Sequence, residues 1–269
     1  MSRPPVALSI AGSDPSGGAG IQADLKTFSA LGAFGTSVIT ALTAQNTQGV
    51  TAVHVVPTQF VIQQLETLIC DVRVDAVKIG MLANAEVAQA VGAFLQAHPQ
   101  RVVVLDPVMV ATSGDRLLQD DAVQAIRALM PLSCVVTPNL AEAGVLLETA
   151  PAQNVAEMRS QAAALRLAGA ARVLLKGGHL DGGDEAVDVF ADGESVVELR
   201  ALRVPTINTH GTGCTLSSAV AALRPRRSSW TDTVIDAKAW LTEALAAADV
   251  LQIGHGHGPV HHFHQIWST

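Results

Sequence analysis

Tyrosine is missing from this 269-residue chain, and aromatic residues together make up only 3%. A core of stacked rings is thereby excluded. Ala, Val, Leu and Ile must fill the interior, which suits buried parallel strands beneath Ala-rich helices. Cysteine is scarce: Cys70, Cys134 and Cys214 are the whole set. Three scattered thiols make no disulfide framework, and no C-x-x-C pair offers a zinc spacing. Positive charge is in deficit, with a net charge of −7. The short basic run "RPRR" at 224–227 reads as a solvated turn after a helix, so no nucleic-acid partner is expected. No apolar run reaches the roughly 18 residues of a membrane span. No basic start leads into an apolar signal segment. A reducing, cytoplasmic setting without a membrane partner is expected. Hydrophobic residues at 49% exclude a disordered chain.

Short apolar runs alternate with longer helical patterns. Strands are expected at 6–10, 36–41, 75–79, 101–105, 134–137 and 172–176. Helices are expected at 21–30, 59–70, 85–97, 121–130, 140–147 and 155–168, with two more at 212–223 and 231–249. Repeated strand–helix–strand units imply a mostly parallel sheet covered by helices on both faces. The alternating stretch 186–200 around Asp192-Gly193 reads as a hairpin adding a short antiparallel edge. The expectation is an α/β fold in one domain, residues 1–269.

The polar residues fall at strand ends. Gly12 and Asp14 follow the first strand, Gly80 and Met81 the third, Asp106 the fourth, Asn139 the fifth and Lys176 the sixth. In an open parallel sheet those carboxyl ends share one rim, where ligands bind. The first glycine-rich turn, "AGSDPSGGAGIQAD", matches G-x-G-x-x-A at Gly18–Ala23. The acid that would hold a ribose about 20 residues on is lacking, because Glu66 is the next acid after Asp24. Gly-Lys-Ser/Thr occurs nowhere, which excludes a Walker A loop. The stretch "NTHGTGCT" places Gly211, Thr212, Gly213 and Cys214 at the start of a small-residue helix. Free N–H groups there make an anion site, or Thr209 or Thr212 simply caps the helix. Asn139 and Glu142 lie three apart near another helix start. They suit a hydrated Mg²⁺ or, alternatively, a capping box. The tail 254–267 holds five of the nine histidines. No cysteine or carboxylate accompanies them, so packing or a mobile tail is expected rather than a metal site.

Taken in order, "AGSDPSGGAGIQADLKTFSALGA", "VITALTAQNTQGV", "VKIGMLA", "VLDPVM", "TPNLAEA", "LLKGGH", "NTHGTGCTLSSA" and "GHGPVHHFH" resemble the bacterial hydroxymethylpyrimidine/phosphomethylpyrimidine kinases of the ribokinase superfamily. The resemblance runs from near residue 6 to near residue 264. It implies a ribokinase-like fold, typically a homodimer. It also implies two ATP- and Mg²⁺-dependent phosphorylations of 4-amino-5-hydroxymethyl-2-methylpyrimidine in thiamine biosynthesis. By the same resemblance, Gly211 to Cys214 form the anion hole and catalytic position, and Lys176 binds phosphate. Asp106, Asn139 and Glu142 serve Mg²⁺ and phosphate. Gln45 hydrogen-bonds the pyrimidine, with Gly12, Asp24, Met81 and Val108 nearby, and Lys238 lies by the nucleotide together with Lys176 and Thr212. Pro107 stands where some relatives have Thr, a change of local loop geometry.

The residue chemistry agrees with these roles. A glutamine amide donates and accepts at once, as an aminopyrimidine edge requires. Met81 and Val108 would cover the faces of a flat ring. The stretch "MVATSGDRLL" with Gly114 is expected to close over the site. A helix start lowers a thiol's pKa, so Cys214 either takes the alcohol's proton as a thiolate in the first step or only shapes the anion hole. The second acceptor, a phosphate monoester that is mostly dianionic at neutral pH, needs no base. A pyridoxal/pyridoxine kinase of the same fold is the alternative. A non-catalytic binding protein would be expected to show a broken site.

Overall fold

Both faces of the strand β1, Val6–Ser13, are buried almost to its end, as a continuous apolar run requires when helices cover a sheet on two sides. This computed structural model describes residues 3–109, 122–178, 180 and 183–267. The strands that follow are β2 (Phe34–Asn46), β3 (Gly49–Val55), β4 (Ala76–Ile79), β5 (Val103–Leu105), β6 (Val135–Val136), β7 (Arg172–Leu175), β8 (Glu185–Asp192) and β9 (Ser195–Leu202). They form one sheet in the order β3-β2-β1-β4-β5-β6-β7-β8-β9. The strands from β2 across to β7 pair in parallel. The helices are α1 (Gly20–Ala30), α2 (Thr58–Ile69), α3 (Ala85–Ala97), α4 (Ala122–Leu129), α5 (Leu140–Leu147), α6 (Val155–Leu167), α7 (Thr212–Leu223) and α8 (Trp230–Ala246).

Alternation along the strands divides the interior in two. Leu8, Ile10, Val77 and Ile79 join the side chains of α2 to α6 on one face. Ala7, Ala76, Val104 and Leu174 meet α1, α7 and α8 on the other. Every residue of α7 from Thr215 to Leu223 is buried. Its Ala and Ser side chains let α1 and α8 pack closely on it.

The antiparallel edge expected at 186–200 is the β8–β9 hairpin, and its register closes at Asp192↔Ser195 around Gly193. A second antiparallel edge was not expected. The strand expected at 36–41 runs on to Asn46 and turns into β3. Asn46 makes that turn, its Oδ1 accepting from the N–H groups of Gln48 (2.8 Å) and Gly49 (3.2 Å), a side-chain mimic of a backbone turn. The direction of chain progression reverses at β1. β2 lies on one side of it and β4 on the other, which opens a crevice beyond the carboxyl ends of β1 and β4.

Candidate active site

A cavity of about 970 Å³ opens along this rim. Gly12, Gln45, Met81, Asp106, Val108, Asn139, Glu142, Lys176, the run Gly211 to Cys214, and Lys238 all line it. Topology, rather than any local motif, brings these separated residues together: each parallel strand delivers its following loop to the same edge.

The loop into α7 is held by backbone contacts. Gly211 has φ +74°, and a Cβ there would lie 1.8 Å from the carbonyl oxygen of Gly18, so only glycine fits. No side chain caps α7. Thr212 instead turns back, its N–H (3.2 Å) and Oγ1 (2.6 Å) both donating to the Thr209 carbonyl. The capped-helix alternative for this stretch is therefore not realised. The first-turn N–H groups of Gly213 and Cys214 lie where a helix has no internal acceptors, and the helix dipole favours an anion there. Lys176 stands over the same loop, with Nζ 3.2 Å from the Cβ position of Gly213.

The charged residues form one network. Lys176 Nζ donates to Asp106 Oδ1 at 2.7 Å and lies 4.0 Å from Glu142 Oε2. Thr137 Oγ1 (3.1 Å) and Ser217 Oγ (3.1 Å) also donate to Asp106. Burial alone would raise the pKa of Asp106, but the Lys176 and Lys78 charges outweigh it and hold the carboxyl below its ordinary value. Burial pushes Glu142 up to about 7, with the Asp106 charge adding to the rise and Lys176 opposing it. A pair of adjacent carboxylates, one of them reluctant to ionise alone, fits a divalent cation that also takes phosphate and water ligands. Asn139 fits this less well than expected. Its Oδ1 accepts from the Glu142 N–H (2.8 Å) while Glu142 Oε2 accepts from the Asn139 N–H (2.7 Å), so the two residues form a capping box.

At the other end, Met81, Ala41 and Ala83 form a small apolar cluster with Val55 and Val108 packed against it. Gly12 lies against Met81, where a Cβ would meet Met81 Cε at 2.4 Å. The β2–β3 register shifts between Ala44 and Gln45, and such a bulge re-aims the side chain that follows. His210, which the sequence reasoning passed over, stands beside Gln45, with Asp14 of the first rim loop behind it. His210 Nε2 lies 3.3 Å from the Gln45 amide nitrogen and 2.8 Å from Asp14 Oδ2. His210 precedes a glycine-rich turn, and that position was the available signal.

Two expectations need correction. Asp24 does not face the cavity: it is wholly buried, accepts both contacts of Lys78 at 2.9 Å, and is held by Ser9 (2.5 Å) and Ser218 (2.6 Å). It neutralises the buried Lys78, which does line the cavity. Cys214 is not acidified. Burial, with Asp24 and Asp106 adding to it, pushes the thiol up to about 11, although Lys78 and a hydrogen bond from Gly20 pull the other way. Lys238 lines the cavity but is paired with Asp188 at 2.7 Å, whose other oxygen accepts from the Gly177 N–H. Of the stretch expected to close over the site, residues 110–118 lie outside the described residues, Gly114 included. The histidine tail is packed, with His261 and His262 buried and Trp267 against His261.

The family model described as phosphomethylpyrimidine kinase matches residues 14–261. The chain is 55% identical over 262 residues to the hydroxymethylpyrimidine/phosphomethylpyrimidine kinase of Escherichia coli (strain K12), covering 97% of this chain and 98% of that one. Among solved structures it resembles the pyridoxal kinase from Staphylococcus aureus in complex with AMP-PCP and pyridoxal. That match has a TM-score of 0.90 and 32% identity, and covers 98% of this chain and 96% of that one. It also resembles a phosphomethylpyrimidine kinase from Clostridium difficile 630, with a TM-score of 0.80 and 39% identity over 90% of this chain and 99% of that one.

Proposed function

The chain belongs to the phosphomethylpyrimidine kinase family, and from that premise we propose how its residues divide the work of the reaction. The enzyme is a kinase that phosphorylates 4-amino-5-hydroxymethyl-2-methylpyrimidine and then its monophosphate, in thiamine biosynthesis. ATP is the phosphate donor, in keeping with the nucleotide complexes of its structural relatives. In the first step the hydroxymethyl oxygen bonds to the γ-phosphorus, the bond to the ADP oxygen breaks, and the hydroxyl proton is released to solvent. In the second step an oxygen of the monoester attacks and no proton need be removed.

Gln45 reads the polar edge of the ring while Met81 and Val108 cover its faces. The N–H groups of Gly213 and Cys214 receive the transferring phosphoryl group, with Gly211 and Thr212 shaping the turn. Lys176 supplies the cation that meets its charge, and electrostatic stabilisation of this kind dominates phosphoryl transfer. Asp106 and Glu142 would hold Mg²⁺, which neutralises phosphate charge when bound. Asn139 keeps Glu142 in place through the capping box. Lys238, on α8, faces the nucleotide end. Gly12 leaves room for the ring, and Asp24 acts from beneath through Lys78. A single domain, residues 1–269, carries all of this. A homodimer in the cytoplasm completes the proposal; exposed Phe34, Leu42 and Val53 on the β2–β3 edge support a self-contact.

The observation that carries the proposal is the convergence of Lys176, Asp106 and Glu142 on the α7 loop, beside an apolar slot that ends in Gln45. Steady-state turnover with Mg·ATP tests it. The pyrimidine alcohol and its monophosphate should both give higher kcat/KM than pyridoxal. Preference for pyridoxal would reverse the substrate assignment.

A further inference from the structure

The heavy atoms of a glutamine amide fit the same positions in two orientations, and counting hydrogens around Gln45 selects one. Asp14 comes first. Its Oδ1 accepts from Ser16 N–H (2.9 Å) and Ser16 Oγ (2.7 Å), and its Oδ2 from Gly18 N–H (3.2 Å) and Ala19 N–H (2.8 Å). Four donors on one carboxyl mark an ionised group that can only accept. Burial opposes ionisation, but the hydrogen bonds from His210 and Ser16 prevail and the pKa of Asp14 stays below its ordinary value. His210 Nε2, 2.8 Å from Asp14 Oδ2, must therefore carry a proton. That holds whether the imidazole is neutral or charged.

The Gln45 amide nitrogen, placed 3.3 Å from that Nε2, would then set N–H against N–H. The same conflict appears at the other end. Thr43 Oγ1 has one hydrogen, and it goes to the Ser13 carbonyl at 2.8 Å. Thr43 Oγ1 has none left for the Gln45 amide oxygen placed 3.1 Å away. Exchanging the amide's oxygen and nitrogen removes both conflicts at once. The oxygen then faces the His210 Nε2–H as the longer arm of a three-centre bond shared with Asp14 Oδ2, and the nitrogen donates to Thr43 Oγ1.

We propose that the Asp14–His210 pair is a specificity device: it fixes the Gln45 amide with its acceptor toward the catalytic loop and its donor away from it. This rests on the assignment of Gln45 to the pyrimidine given above. The ring chemistry matches the orientation. In the substrate the 4-amino group neighbours the hydroxymethyl carbon, and the ring nitrogen lies one atom further on. With the hydroxymethyl group directed to Cys214, the amine needs an acceptor on the His210 side, and the ring nitrogen needs a donor beyond it. A fixed amide supplies both and rejects a ring whose edge carries the opposite order. His210 and Asp14 act through Gln45 and are positioning residues.

Two measurements test this. Long-range ¹⁵N–¹H spectra of the histidines in the ligand-free wild-type protein should show His210 Nε2 protonated. An unprotonated Nε2 would remove the basis of the proposal, and no variant is needed to see it. The second is a double-mutant cycle read as KM for the pyrimidine alcohol with ATP saturating. His210→Phe should raise KM about tenfold with a smaller change in kcat, the scale of one lost hydrogen bond. His210→Gln, which keeps a donor at a similar reach, should recover most of that loss. In a Gln45→Ala background, His210→Phe should change KM less than about twofold, since coupled residues are not additive. Full additivity would mean that His210 acts independently of Gln45, and the proposal fails while the kinase assignment stands. If Gln45→Ala left the pyrimidine KM unchanged, the assignment of Gln45 itself would fall.

Discussion

A thiol at the head of a helix is usually acidified, and Cys214 is not. The helix dipole contributes at most about 2 kcal/mol in a favourable, partly buried site, or about 1.5 pKa units. Removal from water, with Asp24 and Asp106 nearby, outweighs that and sets the thiol at about 11. At pH 7 only about one molecule in 10⁴ then carries the thiolate, each pKa unit being a factor of ten. The ligand-free protein therefore holds a protonated thiol, not a ready base. The rate of Cys214 alkylation by iodoacetamide should keep rising about tenfold per pH unit up to pH 10. A plateau reached below pH 8 would show an acidified thiol and restore the base. Lys78 offers a second test at this scale. Lys78→Met strands the Asp24 carboxylate in the core and should lower stability by about 3–5 kcal/mol. Lys78→Met with Asp24→Leu should recover much of that, because removing both charges of a buried pair is often neutral. Denaturant midpoints decide it, and equal losses in the single and double variants would contradict the pairing. Lys176 and Asp106 were legible in the sequence because each follows a strand of a parallel sheet, and Glu142 because it stands three residues after Asn139 at a helix start. Asp24 was not: a helix residue next to a glycine-rich turn can face the cavity or the core. The signal that pointed inward was Lys78 in the apolar stretch "AVKI", since a buried lysine demands a partner.

Elements were legible in proportion to how much their own residues decide them. The helices came out close to their periodic patterns because caps such as Asn84 and Asn154 fix the starts of α3 and α6. β3 was missed because its residues are mostly exposed, so no apolar alternation marks it. Asn46 and Gly49 marked the turn before it, and the β-branched Val50, Thr51, Val53 and Val55 its strand propensity. The tail shows an element made by packing alone. His262 is buried, its Nε2 lying 3.1 Å from Thr215 Oγ1 on α7, and the His261 N–H donates to the Ala244 carbonyl on α8. Burial drives the His262 pKa down to about 3, helped by the nearby Lys26 charge. An unfolded histidine titrates near 6.5. Between these values the unfolded chain binds the extra proton, so this contribution to stability is complete above pH 6.5 and is lost as pH falls toward 3. The melting temperature should drop across that window, and His262→Gln should flatten the drop. An unchanged slope in the variant would show that His262 is not the group responsible.

At the scale of the whole molecule, the reversal of strand order at β1 decides where chemistry can happen. It opens the crevice between the ends of β1 and β4, and the loops after β5, β6 and β7 and the start of α7 bring charge to the same rim. The shared rim followed from strand–helix alternation, before any side chain was placed; the reversal at β1 did not. The choice between a pyrimidine and a pyridoxal-type ring did not follow either. On the proposal made above it rests on the β2–β3 bulge at Gln45 and on Asp14 and His210, contacts made by residues as far as 196 positions apart in the chain. The measurement that bears most directly on the kinase assignment is ³¹P NMR of the product formed by purified enzyme from the pyrimidine alcohol and excess Mg·ATP. Two successive transfers to one acceptor should give a pair of mutually coupled phosphorus resonances, those of a pyrophosphate ester, alongside ADP. A reaction that leaves the pyrimidine unphosphorylated, or halts at a single uncoupled monoester resonance while ATP remains, would contradict it.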